Sequence, residues 1–180
     1  SLYLWGDVGV GKTHWLRASA DSARAEGWQA YYIDAATQSL DDPLYEVANW
    51  LAIDNLHTLD DAGQFEFFAL YNQQRQQGGV ILSSGAVHCQ QLPVRADIIT
   101  RLQWGLQFPL SPLTEADTLA ALKWHAHMRG FDLPDDVARY LITHCPRDLR
   151  TLIPILQQLD QQSLQQRRHI TLPLLRQILQ

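Results

Sequence analysis

Residues Gly6–Thr13 read GDVGVGKT and match the pattern G-x-x-x-x-G-K-[ST] in full. No other stretch restricts the fold as strongly, because this loop works only between a strand and a helix. Its glycines let successive backbone N–H groups turn toward phosphate oxygens, and the following helix offers the positive end of its dipole. Lys12 is spaced to reach the β- and γ-phosphates, and the Thr13 hydroxyl to ligate Mg²⁺. Lysine is not here through abundance, since Lys12 and Lys123 are the only two in the chain. The flanks comply. Leu2–Trp5 reads as a buried strand, and Lys12–Glu26 as a helix closed by Gly27, which accepts φ > 0 at a helix C-terminus. A glycine-rich turn matching by chance would have neither flank. We therefore expect Gly6, Asp7, Val8, Gly9, Val10, Gly11, Lys12, Thr13 and His14 to surround a nucleotide's phosphates.

Beyond the loop, strand and helix alternate. WQAYYID (28–34), NWLAID (49–54), GVILSS (79–84) and GLQFPL (105–110) read as strands. Asp41–Pro43 has helix-start chemistry. Residues 61–77 read as a helix with Phe65, Phe68 and Tyr71 near one face. This alternation predicts an α/β fold, a parallel sheet with helices on both faces. After Pro112 only helical patterns follow, over 114–129, 134–144, 147–162 and 172–179. Thr114 with Asp117 resembles a capping box, and Pro134 suits a first helical turn. The expected division is an α/β domain over 1–112 and a small all-helical domain over 113–180. The glutamine-rich runs QQRQQ and QQLDQQSLQQRR read as solvated helix faces. A strand starting at Leu2 leaves nothing before it to pack on a nucleotide base, so we expect the natural chain to begin further upstream.

Composition narrows the function. With 46% hydrophobic and 18% charged residues, the chain reads as globular and soluble. No run approaches the ~18 apolar residues of a membrane span, and the start is too polar for a signal peptide. A net charge of −5 argues against a protein living mainly on duplex DNA, although Arg167 and Arg168 form a local basic spot. Cys89 and Cys145 lack metal-like spacing and read as reduced thiols of a cytoplasmic protein. His125 and His127 lie on different sides of a predicted helix, so with His144 and Cys145 they read as structural or surface residues rather than ligands.

The segment LAIDN (51–55) has the form of a Walker B strand, with Asp54 at its carboxyl end to hold Mg²⁺ through water. Many P-loop ATPases place a carboxylate just after it to orient the attacking water. Here Asn55 follows, which can bond a water but cannot take its proton, and His57 is the substitute to consider. Nucleotide binding reads as intact and hydrolysis by the chain alone as weakened.

The stretches GDVGVGKTHWLRA, WLAIDNLHTL, LYNQQRQQG, ADIITRLQWGL, RGFDLPDDVARYL and PRDLRTLIPILQQLD follow in order over essentially the whole chain. Together they resemble the DnaA/Hda clade of the AAA+ superfamily. Asp54–Asn55, RLQWG and RGFDLPDDV are closer to the Hda branch than to DnaA itself. The resemblance implies a P-loop AAA+ sheet with a helical lid, binding ADP or ATP with Mg²⁺. It places Arg101 where the family carries its arginine finger, offered in trans to a neighbour's γ-phosphate and worth ~10³–10⁵ in rate. It places Arg147 at the sensor-2 arginine that reaches from lid to nucleotide, with Arg150 one turn on as competitor. For sensor 1 it expects an acid where Ala86 stands, Ser84 being the nearest polar substitute.

The function so implied is regulatory: promoting hydrolysis of DnaA-bound ATP and so restraining initiation of DNA replication. DnaA is the implied partner. The DNA-polymerase sliding clamp is another, bound through a segment upstream of Ser1. A homo-oligomer is a further state to consider, contact with DNA is indirect, and no membrane is involved. The competing reading is a DNA-associated AAA+ ATPase, such as a truncated DnaA initiator or a helicase loader. The acidic charge, Asn55 and Ala86 count against it. A P-loop kinase is disfavoured by the long helical lid and by the lack of an acceptor-site acid near the first strand.

Overall fold

Tyr3 and Leu4 are adjacent and both buried, one on each side of the first strand, β1 (Leu2–Trp5). A strand buried on both faces belongs inside a sheet covered by helices. The computed structural model describes residues 1–180 except Arg147, Arg167 and Gln180, and β1 indeed lies inside its sheet. The other strands are β2 (Ala30–Asp34), β3 (Trp50–Asp54), β4 (Val80–Gly85) and β5 (Leu106–Pro109). Their order is β2-β3-β4-β1-β5, and every pairing is parallel. The register sets Trp5 beside Gly85 and Asp34 beside Asp54, so the carboxyl ends of β1, β4, β3 and β2 share one edge.

Residue alternation divides the two faces. On one, α1 (Lys12–Ala25) packs Leu16 and Ala20 onto Ala52 and Leu82. On the other, Tyr3, Ile33, Leu51, Ile53 and Ile81 meet Phe67 and Leu70 of α3 (Asp61–Gln77) and Ile98 and Leu102 of α4 (Ala96–Gln103). A short α2 (Pro43–Glu46) is started by Asp42, whose carboxylate accepts from Leu44 N–H at 2.9 Å. Helix α4 has no counterpart in the sequence reading. It is only eight residues long, and its N-cap, Arg95, makes no side-chain capping bond, so the usual start signal is missing.

The structure settles which face of α3 points inward and corrects one expectation about that helix. Its buried face carries Gln64, Phe67, Leu70, Tyr71 and Gln74, while Phe65 is 61% exposed and Phe68 half-buried. The inward stripe follows steps of three and four residues from Gln64, and Phe65 lies off it. The QQRQQ run is not wholly solvated. Gln74 is fully buried, and its amide donates to the Ala48 carbonyl at 2.8 Å, tying α3 to the end of α2.

Residues Ser1–Ser111 and Pro112–Gln180 form two compact units. The second holds α5 (Glu115–Met128), α6 (Asp135–His144), α7 (Leu149–Gln166) and α8 (Leu172–Ile178) around Leu122, Val137, Leu141, Leu152, Leu156 and Leu175. Thr114 caps α5 by accepting from Asp117 N–H at 3.1 Å, and its hydroxyl donates to the Asp117 carboxylate at 2.6 Å. Pro134 takes the N-cap position of α6 rather than its first turn. Among the described residues, no helix is long and apolar enough to cross a membrane.

Candidate functional site: a phosphate loop at the sheet edge

The loop from Gly6 to Gly11 leaves β1 and enters α1 with Gly6 at φ +151° and Gly11 at φ +101°. A side chain at Gly6 would set its Cβ 2.3 Å from the Leu110 carbonyl oxygen, so the close approach of these two segments requires glycine. Lys12 opens α1 with only 9% of its surface exposed. Its Nζ folds back and donates to the carbonyls of Gly6 at 2.6 Å and Asp7 at 2.8 Å. The charge is thus held directly beneath the loop. Asp7, Gly9 and His14 are exposed, as is Val8 at 85%.

Asp54 is fully buried at the end of β3, and a buried carboxylate is stable only when well hydrogen-bonded. Four donors meet it. Thr13 Oγ1 and the Tyr32 hydroxyl donate to Oδ2 at 2.6 and 3.0 Å. The Asn55 N–H donates to Oδ1 at 3.0 Å, and the Ser84 hydroxyl donates to the same oxygen. Thr13 beside Asp54 is a hard-oxygen pair, the donor chemistry that suits Mg²⁺ together with phosphate oxygens. Burial, then the neighbouring Asp54 charge, pushes the Tyr32 phenol up to about 12. The Arg17 guanidinium lies 4.7 Å from the Tyr32 ring centre.

Residue 55 is placed unexpectedly. Asn55 adopts φ +61°, the left-handed conformation that asparagine tolerates best among residues with a Cβ. Its side-chain amide donates to Asp34 Oδ1 at 2.8 Å. The Asn55 amide therefore bridges β3 to β2 through the Asp34 carboxylate. His57 lies in a 3₁₀ turn (Leu56–Thr58), its Nδ1 buried without a partner. Ser84, not Ala86, is the residue of β4 that touches Asp54. Tyr32 and Asp34 escaped the sequence reading. The signal that could have found them is the parallel register of AYYID with WLAID, which aligns the two terminal acids.

Arg101 sits elsewhere, in the last turn of α4. Its carbonyl accepts from the Tyr71 hydroxyl at 2.8 Å, and that hydroxyl lies 2.9 Å from Ser1 Oγ, at the amino end of β1. The phosphate loop leaves the other end of the same strand, roughly 10 Å away at 3.3 Å per residue. Arg101 therefore does not join the Lys12–Thr13–Asp54 group. Its guanidinium lies 4.2 Å from the Trp104 ring centre and 5.3 Å from that of Phe68, and its Nε is buried without a partner. Arg147 lies outside the described residues, as does Arg167. Arg150 is exposed and pairs with Asp148 at 3.2 Å. Among the described residues, no cluster of three or more His, Cys, Asp or Glu side chains can hold a metal.

Parallel sheet, phosphate loop and C-terminal helical region together define an α/β protein with the AAA+ fold. Domain III of the Thermotoga maritima replication initiation protein DnaA matches with a TM-score of 0.84 at 21% identity, over 99% of this chain and 82% of that one. AMPPCP-bound DnaA from Aquifex aeolicus matches with a TM-score of 0.74 at 21% identity, over 88% of this chain. This chain spans about half the length of such DnaA structures, 55% in that case. Protein NMB1076 from Neisseria meningitidis is 37% identical over 62% of this chain and 74% of its own, with a TM-score of 0.54. Residues 115–179 match the family model of the Hda lid domain. The chain is Hda-like, its C-terminal region belonging to the Hda lid-domain family.

Proposed function

We propose that this chain is a cytoplasmic AAA+ regulator that binds ADP or ATP with Mg²⁺ and promotes hydrolysis of ATP held by DnaA, so restraining initiation of DNA replication. The observation carrying this reading is the separation of Arg101 from the chain's own phosphate loop. A guanidinium that cannot reach its own nucleotide, on a chain with an Hda lid domain, suits a partner's γ-phosphate.

Within the chain, Gly6–Thr13 hold the phosphates, with Lys12 turning from the loop carbonyls to the β-phosphate and beyond. Thr13 and Asp54 hold Mg²⁺, which neutralises phosphate charge when bound. Ser84 takes the sensor-1 position, orienting Asp54. Arg147 is assigned to sensor 2. Residues 1–112 act as the nucleotide-binding domain and 113–180 as the lid. The sliding clamp would be engaged through residues upstream of Ser1.

A self-sufficient DNA-associated motor needs a group at position 55 that activates water, and the Asn55 amide is engaged by Asp34. The test is hydrolysis of ATP on DnaA with the full-length protein and clamp-loaded DNA. Stimulation that Arg101→Ala removes supports the reading. Absence of stimulation by the unaltered protein, or fast turnover by this protein without DnaA, would sink it.

A further inference from the structure

Trp104 is 54% exposed, yet two cations lie against its ring. The Arg101 guanidinium carbon is 4.2 Å and that of Arg75 4.3 Å from the ring centre. They arrive on different elements, the last turn of α3 and the last turn of α4. Like charges brought to one ring repel, and among the described residues no carboxylate pairs with either guanidinium. The Arg101 Nε is also buried without a partner, so the ring, not a hydrogen bond, directs that side chain. Arg75 and Trp104 further border a cavity of about 280 Å³ at the amino ends of β1 and β4, beside Ser1 and Gly79. Two guanidiniums held at one ring without a carboxylate partner leave planar donor forks of the geometry that suits a polyphosphate.

We infer that Trp104 is a positioning residue that holds Arg75 and Arg101 as a paired clamp for the polyphosphate of a nucleotide carried by a partner subunit. This rests on the trans role proposed for Arg101. In the clamp, Arg101 meets the charge that develops at the γ-phosphate. Arg75 is exposed at the rim, where a charge acts mainly on encounter and on salt dependence. Trp104 acts through Arg101 by fixing its approach, and loss of such alignment lowers the rate rather than the affinity.

The test titrates the full-length protein against ATP-loaded DnaA and reads maximal stimulated hydrolysis and half-saturating concentration separately, at several salt concentrations. Arg75→Gln is expected to raise the half-saturating concentration about tenfold and flatten the salt dependence, with the maximal rate within about threefold. Trp104→Ala is expected to lower the maximal rate about tenfold or more, with Trp104→Phe recovering most of it. If Arg101→Ala abolishes stimulation while Arg75→Gln and Trp104→Ala match the unaltered protein, the clamp is overturned and the trans role stands. If Arg101→Ala also changes nothing, both fall. Thermal unfolding of each variant separates loss of fold from loss of alignment. Should Trp104→Ala fail to fold, the exposed Arg75→Gln still decides: an unchanged half-saturation and salt dependence overturns the clamp.

Discussion

Of the four donors around Asp54, Tyr32 is the one whose ionisation can be followed in solution. An unfolded tyrosine ionises near pH 10. In the folded chain, burial and the Asp54 charge raise Tyr32 to about 12. Above pH 10 the unfolded chain releases a proton that the folded chain keeps. Tyr32's contribution is therefore whole below pH 10 and lost as pH climbs toward about 12. Urea midpoints measured from pH 9 to 12 should fall with pH, and Tyr32→Phe should flatten that decline; parallel curves for the two proteins would refute this account. Little of this arrangement is legible locally. Asp54 announces itself as the acid ending an apolar strand. Tyr32 and Ser84 lie in other strands, and nothing within AYYID or LSSG signals that they share a carboxylate with it. Their convergence comes from the register of parallel strands, a property of pairs of segments. Asn55 teaches the same lesson. Its identity indicates a missing base, but its engagement by Asp34 follows from a backbone turned to φ +61° and from β2 lying alongside β3.

Elements reveal where the backbone, rather than side-chain chemistry, sets the limits. At Gly6 the positive φ and the Leu110 carbonyl together exclude a Cβ. Gly6→Ala should cost about 2–4 kcal/mol by denaturant unfolding and shift the loop that holds Lys12. A variant with unchanged stability and nucleotide affinity would contradict that account. Helix α7 offers the opposite case. Pro154 lies within it, exposed, where proline withholds a backbone donor from the Arg150 carbonyl. Pro154→Ala should stabilise the protein by about 1–3 kcal/mol, read as a higher thermal midpoint, because no packed surface is removed. Strong periodicity makes the buried strands and most of the helices readable to within a residue or two, but α7 runs to Gln166, four residues past the expected 147–162, because its glutamine-rich end carries little apolar signal. Helix α4 was not readable, since eight residues without a capping side chain look like loop until Ile98 and Leu102 are seen packed beneath the sheet. The burial of Gln64 and Gln74 in α3 is likewise not legible, because a glutamine gives no inward signal until its amide is seen donating to the Leu59 and Ala48 carbonyls.

At the scale of the molecule, two cores serve different ends. The sheet of Ser1–Ser111 brings Lys12, Thr13, Asp54 and Ser84 to one edge and leaves Arg101 at the other, while the second unit contains residues 115–179, which match the Hda lid-domain model. If the first edge is a nucleotide socket, ADP–Mg²⁺ at a hundredfold its dissociation constant should stabilise the fold by about 2.7 kcal/mol. Lys12→Ala should abolish the corresponding rise in thermal midpoint; a rise that persists would mean that the nucleotide is held elsewhere. The sequence by itself determined the phosphate loop, the alternating α/β order and the helical C-terminal region, because each is written in local spacing: glycines for a turn, period two or period 3.6 for an element. Only the tertiary structure decided which side chains share Asp54, that Asn55 turns to Asp34, and that Arg75 and Arg101 meet on Trp104. Those contacts join residues 21 to 41 positions apart in the first site and the ends of two helices in the second, and distance along a chain says nothing of proximity until strands pair and helices pack.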